Sequence, residues 1–536
     1  VKFLPEKRSP FKLGVCHCSI EKDFVSNGKF TCVKGKEYWV DGQLEFPDPY
    51  ESRDGTYRFM FGPGCSHNGL IFANSNWNLR LAVRRLTCQR ELSIPGYHWY
   101  LHYAQHSYIR QKGAFIEYTR KLYETEFHQF TTHFQEALLH HADPHPKRAL
   151  RIGAWAELMT NTLAMDFFSD WVRGTPDWKL KLAEIAKFNK YPRTIVDVGC
   201  SASLIGFVVS AIMKEAMYRH PIFIHGGEIA YCKSPDPKAL HDVFDKLREP
   251  PGRFYFPYFS DDSCYAVRGP DGKVHWHNLD ISSCDASHTA ALFNSVLQIV
   301  SGTARDAMMR VVQQCKRKLK LRSCVQNGVY CTLKPNDYSL YSGVTITGIM
   351  NNWACILLAI SITEHHSIGP AIEEAAARVG YILTGWEKPL DHFEDVQFLK
   401  HSPVLDTKGV WRPMLNLGVL LRASGVSKGD IPGRGDLNLR CRQFQHSIVH
   451  GMYPRTHCTV LDNIRSATQV DSTTQQYTRI NKHVRDTVTH IQVEEDYPEF
   501  RANDDSVYRR YRLTPDEIYD LEHVYSKMTT GYWYNG

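Results

Sequence analysis

Residues 253–288 read RFYFPYFSDDSCYAVRGPDGKVHWHNLDISSCDASH, and the fold turns on how this stretch is read. Its runs of Phe, Tyr, Val and Trp break at Ser260-Asp261-Asp262 and again at Gly269-Pro270-Asp271-Gly272. Aromatic and β-branched runs bounded by Gly, Pro and Asp predict a tightly connected antiparallel meander. Pro257 offers no amide hydrogen to a ladder, so its run is expected at a sheet edge or a bulge. Asp261, Asp262 and Asp280 fall at strand ends, and Asp285 follows shortly after. If the strands carrying them pair side by side, Asp280 comes close to Asp261. Adjacent carboxylates repel unless they are solvated or gather around a cation. An oxygen-only cluster with room for waters and phosphates is what Mg²⁺ prefers, and paired ions of this kind serve phosphoryl transfer. Alone, the stretch reads equally well as a pair of exposed hairpin tips.

The rest of the chain bounds the problem. A length of 536 residues exceeds what one hydrophobic core usually supports, so more than one subdomain is expected. The net charge of +7 is consistent with a polyanionic partner. Basic residues cluster at Lys316, Arg317, Lys318, Lys320 and Arg322, which as a lone feature reads as a solvated face. The 15 cysteines follow no disulfide-framework spacing, which points to reduced thiols in a cytosolic setting. Only Cys16, Cys18, Cys32, Cys65 and His67 suggest a metal cluster, and their spacing is not the usual one for zinc. No signal peptide is evident, and the longest apolar run, Trp353 to Ile362, is too short to span a bilayer.

Outside the quoted stretch, residues 1–56 carry β-type runs with turn signals at Asn27-Gly28, Lys34-Gly35 and Asp41-Gly42. Phe61 to Gly69 is a Gly/Pro loop with exposed amides, able to let a nucleic-acid backbone approach. Lys147, Ala149 and Arg151 share one face of an extended segment, where two cations could clamp a triphosphate. The stretch Arg193 to Ser210, RTIVDVGCSASLIGFVVS, reads as strand, turn and helix. Its Asp197-Val198-Gly199 resembles the first loop of an S-adenosylmethionine methyltransferase but lacks the further glycines that close backbone approach needs. Residues 341–351, YSGVTITGIMN, read as a Gly-containing loop running into an apolar helix, with Thr347 and Asn351 on one face. Pro370 to Gly380 reads as a helix, Tyr381 to Leu383 and Val396 to His401 as strands, and Thr514-Pro515-Asp516-Glu517 as a capped helix start.

Taken together these pieces resemble the viral RNA-dependent RNA polymerases. LDISSCDASH is similar to their motif A, YSGVTITGIMN to motif B, VGYILTGWEKP to motif D and VQFLKHS to the motif E primer grip. PKRALRI resembles motif F and, more weakly, FGPGCSHNG resembles motif G. The Asp-Asp hairpin normally found between motifs B and D is missing from residues 362–379. Ser260-Asp261-Asp262, ahead of motif A, is the candidate for it. That C-A-B order resembles the permuted polymerases of permutotetraviruses and birnaviruses, with Ser in place of the usual Gly. Strands A and C are neighbours in such a sheet, so the Gly-Pro-Asp-Gly turn can join them directly.

The resemblance implies an α+β right-hand fold with an antiparallel palm sheet. It implies an N-terminal β-rich extension over 1–60, fingers over 61–250, a palm over 251–403 with a fingers-side excursion near 300–335, and a thumb and C-terminal region over 404–536. Asp261, Asp262 and Asp280 are implied to hold two Mg²⁺ or Mn²⁺ ions, and Lys388 to protonate the departing pyrophosphate. Asp285, Ser342, Gly343, Thr347 and Asn351 are implied to form the ribose pocket, and Lys147 and Arg151 to grip the triphosphate. Gly62, Gly64, Ser66, Lys400, Lys316, Arg317 and Lys318 are implied to contact RNA. The implied partners are RNA template and product and nucleoside triphosphates, with room for a protein primer or other viral proteins. The implied setting is a replication complex in the host cytoplasm, or the virion. A reverse transcriptase would be expected to carry a bulky residue at the Asp285 position. The alternatives are a methyltransferase acting near Asp197 and a non-catalytic RNA-binding protein.

Overall fold

The computed structural model describes residues 221–299 and 308–428 nearly throughout, together with 28–31, 37–41, 57–60, 175–181, 192–199 and parts of 74–83, 443–468, 499–520 and 534–535. The protein is mixed α and β, and its sheets are mostly antiparallel.

The quoted stretch lies in the middle of a six-stranded sheet. Its strands are β1 (Ile222–Ile224), β2 (Gly227–Tyr231), β3 (Phe254–Phe259), β4 (Asp262–Arg268), β5 (Val274–Ile281) and β6 (Leu383–Thr384). They lie side by side in chain order, and the expected meander is β3-β4-β5. The β4–β5 turn closes with Gly269 N donating to Lys273 O at 2.8 Å, and Gly272 takes φ +78°. Pro257 corrects the expectation of an edge or a bulge, because β3 lies between β2 and β4. The β3–β4 register is the same on both sides of Phe256-Pro257; the ladder simply has no bridge there. The bridges on either side of the proline hold the strand in register across the gap.

β2 and β3 are parallel, so the chain must cross over between them. The crossover is α1 (Pro237–Arg248), capped by Asp236 accepting from Ala239 N at 2.7 Å and opened by Pro237. Leu240, Val243, Phe244 and Leu247 form its buried stripe and pack on Tyr255, Cys264 and Ala266. The alternate residues Phe254, Phe256, Tyr258, Tyr265 and Val267 face the other way, into the main core. Both faces of the sheet are therefore covered, which is why β3 reads as an uninterrupted apolar run.

The second cover is α4 (Thr347–Glu364), reached after α2 (Cys284–Ser287) and α3 (Ala290–Ile299). It is buried continuously from Ile349 to Thr363, as expected of a helix apolar all round. It packs on β3, α3 and α5 (Pro370–Arg378), the helix expected from its proline start. Among the described residues no helix is long and apolar enough to cross a membrane.

A second sheet is ordered 28–31, 37–41, 330–335, 319–322, 177–180, 194–197, with the 319–322 and 177–180 strands parallel and the others antiparallel. The strand at 37–41 pairs with 330–335, far away in sequence. Strand 194–197 is at the edge and pairs antiparallel with 177–180. Two strand expectations shift: Tyr381–Leu383 becomes Leu383–Thr384, and Val396–His401 becomes a 3-10 turn at Phe393–Asp395 followed by a strand at His401–Leu405. The cause of the second is Leu399-Lys400, which adopts φ +50° and +62° and forms a two-residue hairpin turn. The expected capping box is present, with Glu517 N donating to Thr514 Oγ1 and Thr514 N to Glu517 Oε2, both at 3.2 Å.

Gly385, just after β6, has φ +84°, and a Cβ there would lie 1.8 Å from the Asn278 carbonyl oxygen of β5. Gly385→Ala is expected to cost several kcal/mol, on the order of 3 or more, by prising β6 from β5. Gly272→Ala, with φ +78° but open space around it, is expected to cost only about 1 kcal/mol. Denaturant unfolding of the two variants checks the ranking.

Candidate active site

The β3–β4 hairpin turns at Ser260-Asp261, with Phe259 opposite Asp262 in the ladder. Ser260 adopts φ +55°, a conformation that normally favours glycine. It is held there by α4: Ser260 N donates to Asn352 Oδ1 at 2.6 Å, and the Cys355 thiol donates to Ser260 O at 2.7 Å. On the other side of β4, Asp280 of β5 is directly opposite Asp262. Directly opposed residues project from one face, so these carboxylates are close neighbours. Asp262 also accepts from Leu399 N at 2.9 Å.

The electrostatics follow from this crowding. Burial pushes the Asp262 pKa up to about 7, and the neighbouring Asp261 and Asp280 carboxylates push in the same direction. The Leu399 amide and the Lys400 charge oppose the rise without cancelling it. Asp261 is also shifted up, first by desolvation and then by Asp285, while Arg193 pulls it back. Asp261 and Asp280 are exposed and Asp262 is partly covered.

A second cluster adjoins the first. α2 follows β5 directly and carries Asp285 in its first turn. Ser342 donates to Asp285 Oδ2 through its hydroxyl, and Asn351 Nδ2 donates to Asp285 Oδ1 at 3.2 Å and to Ser260 Oγ at 3.4 Å. Asn351 thus bridges the hairpin turn and Asp285. Gly343 has φ +96°, and a Cβ on it would lie 2.5 Å from Val196 O, so the edge strand 194–197 docks on this loop. Val196 N donates to Ser342 O at 2.8 Å, which fixes the loop that presents the serine.

Asp261, Asp262, Asp280, Asp285, Ser342, Gly343 and Asn351 are therefore gathered at one end of the central sheet. Thr347 opens α4, but its hydroxyl donates to backbone, at 2.8 Å to Val344 O and 3.1 Å to Tyr341 O. Lys400 is at the tip of the hairpin whose Leu399 amide meets Asp262. Lys388 is exposed in the segment after β6 and has no hydrogen bond or ion pair with the described residues. Lys316 ends a 3-10 turn and lies over the Tyr338 ring at 4.4 Å, with Arg317 and Lys318 leading into strand 319–322. Gly62, Gly64, Ser66, Lys147 and Arg151 lie outside the described residues, as do Cys16, Cys18, Cys32, Cys65 and His67.

The sequence reading missed Arg193, Asn352, Cys355, His288 and Tyr381. Arg193 precedes strand 194–197 and acts electrostatically on Asp261. Its signal was a cation opening an apolar strand, obscured by the Asp-Val-Gly that follows. Asn352 and Cys355 look like ordinary residues of an apolar helix, and only the fold shows that they grip Ser260.

Among the described residues, one group of ligand atoms lies close enough together to hold a metal ion, and it is not the Asp261, Asp262 and Asp280 carboxylates. Cys284, Asp285 and His288 bring ligand atoms within 4.8 Å of one another, a set of softer type. The chain matches no protein-family model, and no curated protein matches it.

Ser260→Gly is expected to keep the hairpin, whereas Ser260→Val, β-branched at positive φ, is expected to lose about 2 kcal/mol. Thermal melts of both variants check this. The folded protein holds the Asp262 proton up to about pH 7. An unfolded chain releases it at about pH 4, so between these values the folded state binds more protons and stability falls as pH rises. In EDTA, wild type is expected to lose melting temperature from about pH 5 to about pH 7.5, and Asp262→Asn to lose much less. Parallel pH profiles would refute this assignment of the shift.

Proposed function

We propose that the protein is a template-directed RNA polymerase with a permuted right-hand palm. The observation that carries this reading is the ladder register that sets Asp280 opposite Asp262 at the hairpin tip, with the Asp285–Ser342–Asn351 cluster beside it. On this reading the central sheet and α4 are the palm, and Ser260-Asp261-Asp262 is the transposed motif C. Asp261 and Asp280 would hold two Mg²⁺ or Mn²⁺ ions, with Asp262 supporting. When bound, such ions activate the primer 3′-hydroxyl and neutralise the leaving pyrophosphate.

The chain's own residues bind, orient and exclude. Asp285 accepts and Asn351 donates, the pair of functions a 2′-hydroxyl can satisfy with its own proton and lone pairs. Ser342 fixes one Asp285 oxygen and leaves the other to Asn351 and a ligand. Arg193, whose charge already acts on Asp261, is suited to the triphosphate, a role shared with Lys147 and Arg151. Lys400, at the hairpin tip joined to Asp262, is suited to the primer backbone. Lys388, exposed in the segment after β6, is suited to deliver the proton that pyrophosphate takes up on leaving. RNA enters as template and product, and nucleoside triphosphates as substrates, with room for a protein primer or other viral proteins. The proposed setting is a host-cytoplasmic replication complex or the virion.

Primed extension on a defined RNA template tests the proposal. Wild type is expected to incorporate ribonucleotides with Mg²⁺ or Mn²⁺, and Asp261→Ala or Asp280→Ala to lose on the order of a thousandfold or more. Undiminished extension by Asp261→Ala would overturn the assignment. RNA binding without metal-dependent incorporation would favour a non-catalytic RNA-binding protein instead.

A further inference from the structure

Behind Asn351 lies a buried chain of polar groups that the proposed chemistry does not use. His288 is 0% exposed, Tyr381 1% and Asn351 5%. His288 Nδ1 is 2.8 Å from the Tyr381 hydroxyl, and His288 Nε2 is 2.8 Å from Asn351 Oδ1. The Cys284 thiol donates to the same Asn351 oxygen at 3.4 Å. A neutral imidazole donates through one ring nitrogen and accepts through the other.

The donor is fixed by the neighbours. Asn351 Nδ2 donates to Asp285 and Ser260, so its Oδ1 must accept, and the hydrogen facing it is on Nε2. Nδ1 is then the acceptor, and the Tyr381 O–H donates to it. The opposite amide orientation would turn Asn351 Oδ1 toward the Asp285 carboxylate, acceptor against acceptor. Every group in the chain Tyr381 to His288 to Asn351 to Asp285 thus has one consistent direction of donation. In this arrangement the ring nitrogen nearest the Cys284 sulfur, at 3.7 Å, carries the hydrogen, so a metal on Cys284, Asp285 and His288 would require the other tautomer.

We propose that His288 and Tyr381 are positioning residues that set sugar selectivity by locking the Asn351 amide with its NH₂ toward Asp285. This rests on the polymerase reading of the site. Neither residue touches substrate. Without the His288 donor the Asn351 oxygen keeps only the Cys284 thiol, the amide is held less firmly, and the preference for a 2′-hydroxyl that needs a donor and an acceptor side by side weakens.

The test measures kcat and KM for each ribonucleotide and its 2′-deoxy counterpart in single-nucleotide primer extension, with melting temperatures as a folding control. His288→Leu is expected to lower the ribo-over-deoxy preference about tenfold, mainly through a raised KM for ribonucleotides, with the deoxynucleotide constants little changed. His288→Gln, whose amide can donate to Asn351 Oδ1, is expected to recover most of the preference. Tyr381→Phe is expected to fall between them. A merely structural role would lower both sugar series together. If wild type prefers ribonucleotides and folded His288→Leu and Tyr381→Phe keep the full preference, the positioning proposal fails while the polymerase reading stands. If wild type extends no primer, or takes both sugars equally, the reading of the pocket fails and this proposal with it. Stoichiometric zinc on purified wild type, lost in Cys284→Ser, would also overturn it, since Nε2 would then be a ligand.

Discussion

The opposition of Asp262 and Asp280 across one antiparallel ladder is the constraint on which the rest of this structure depends. Like charges directly opposed destabilise a sheet by up to about 1 kcal/mol. This register and that of β3 with β4 together bury Phe254, Phe256, Tyr258, Tyr265 and Val267 on one face and Tyr255, Cys264 and Ala266 on the other. Each large side chain contributes about 1.5–3 kcal/mol of burial, so the aromatic set outweighs the repulsion several times over. A slip of one residue would exchange the two faces along a whole strand. The carboxylates therefore stay opposed because the core cannot move, and their repulsion adds to the burial that raises the Asp262 pKa.

α4 converts that hairpin into a site. Three residues within five positions of this helix reach the tip: Asn352 takes the Ser260 amide hydrogen, Cys355 donates to its carbonyl, and Asn351 meets its hydroxyl and Asp285. Because the helix is buried continuously from Ile349 to Thr363, these groups are on a rigid support. Groups held by packing and by neighbouring hydrogen bonds are the ones that keep a reacting geometry. The strained Ser260 backbone is consistent with this: the surrounding bonds over-determine it, and α4 supplies them.

The sequence reading captured what depends on local pattern. The meander, its PDG turn, the proline-led α5 and the loop entering α4 are all written in turn residues and apolar periodicity. Pro257 in a flanked strand and the Leu399-Lys400 turn were not, for related reasons. Each is a local preference overridden by neighbours: the bridges on either side of the proline in the first case, and an Asp262 acceptor for the Leu399 amide in the second. Tyr381 and His288 carry no local signal at all. They are separated by 93 positions and acquire a role only when the main core brings the hydroxyl to the imidazole. Arg193 was hidden by a more familiar-looking neighbour, and only the docking of its strand on Ser342-Gly343 relates it to the acidic end.

Chain order and spatial order are independent at this site, and the sheet shows why. β3, β4 and β5 are consecutive neighbours, so the Asp261-Asp262 turn and Asp280 reach the same end of the sheet through one short connection at residues 269–273. What the proposed chemistry needs is adjacency of two strand ends, and a ladder supplies it whichever strand comes first. A hairpin is in fact the cheapest way to supply it, because a short loop costs less closure entropy than a long excursion between the same strands. In the proposed reading, transposing the Asp-Asp turn ahead of its partner strand replaces a long-range pairing by a local one. The site is preserved because α4, which holds the turn from behind, is anchored to β3 and not to the order of the loops.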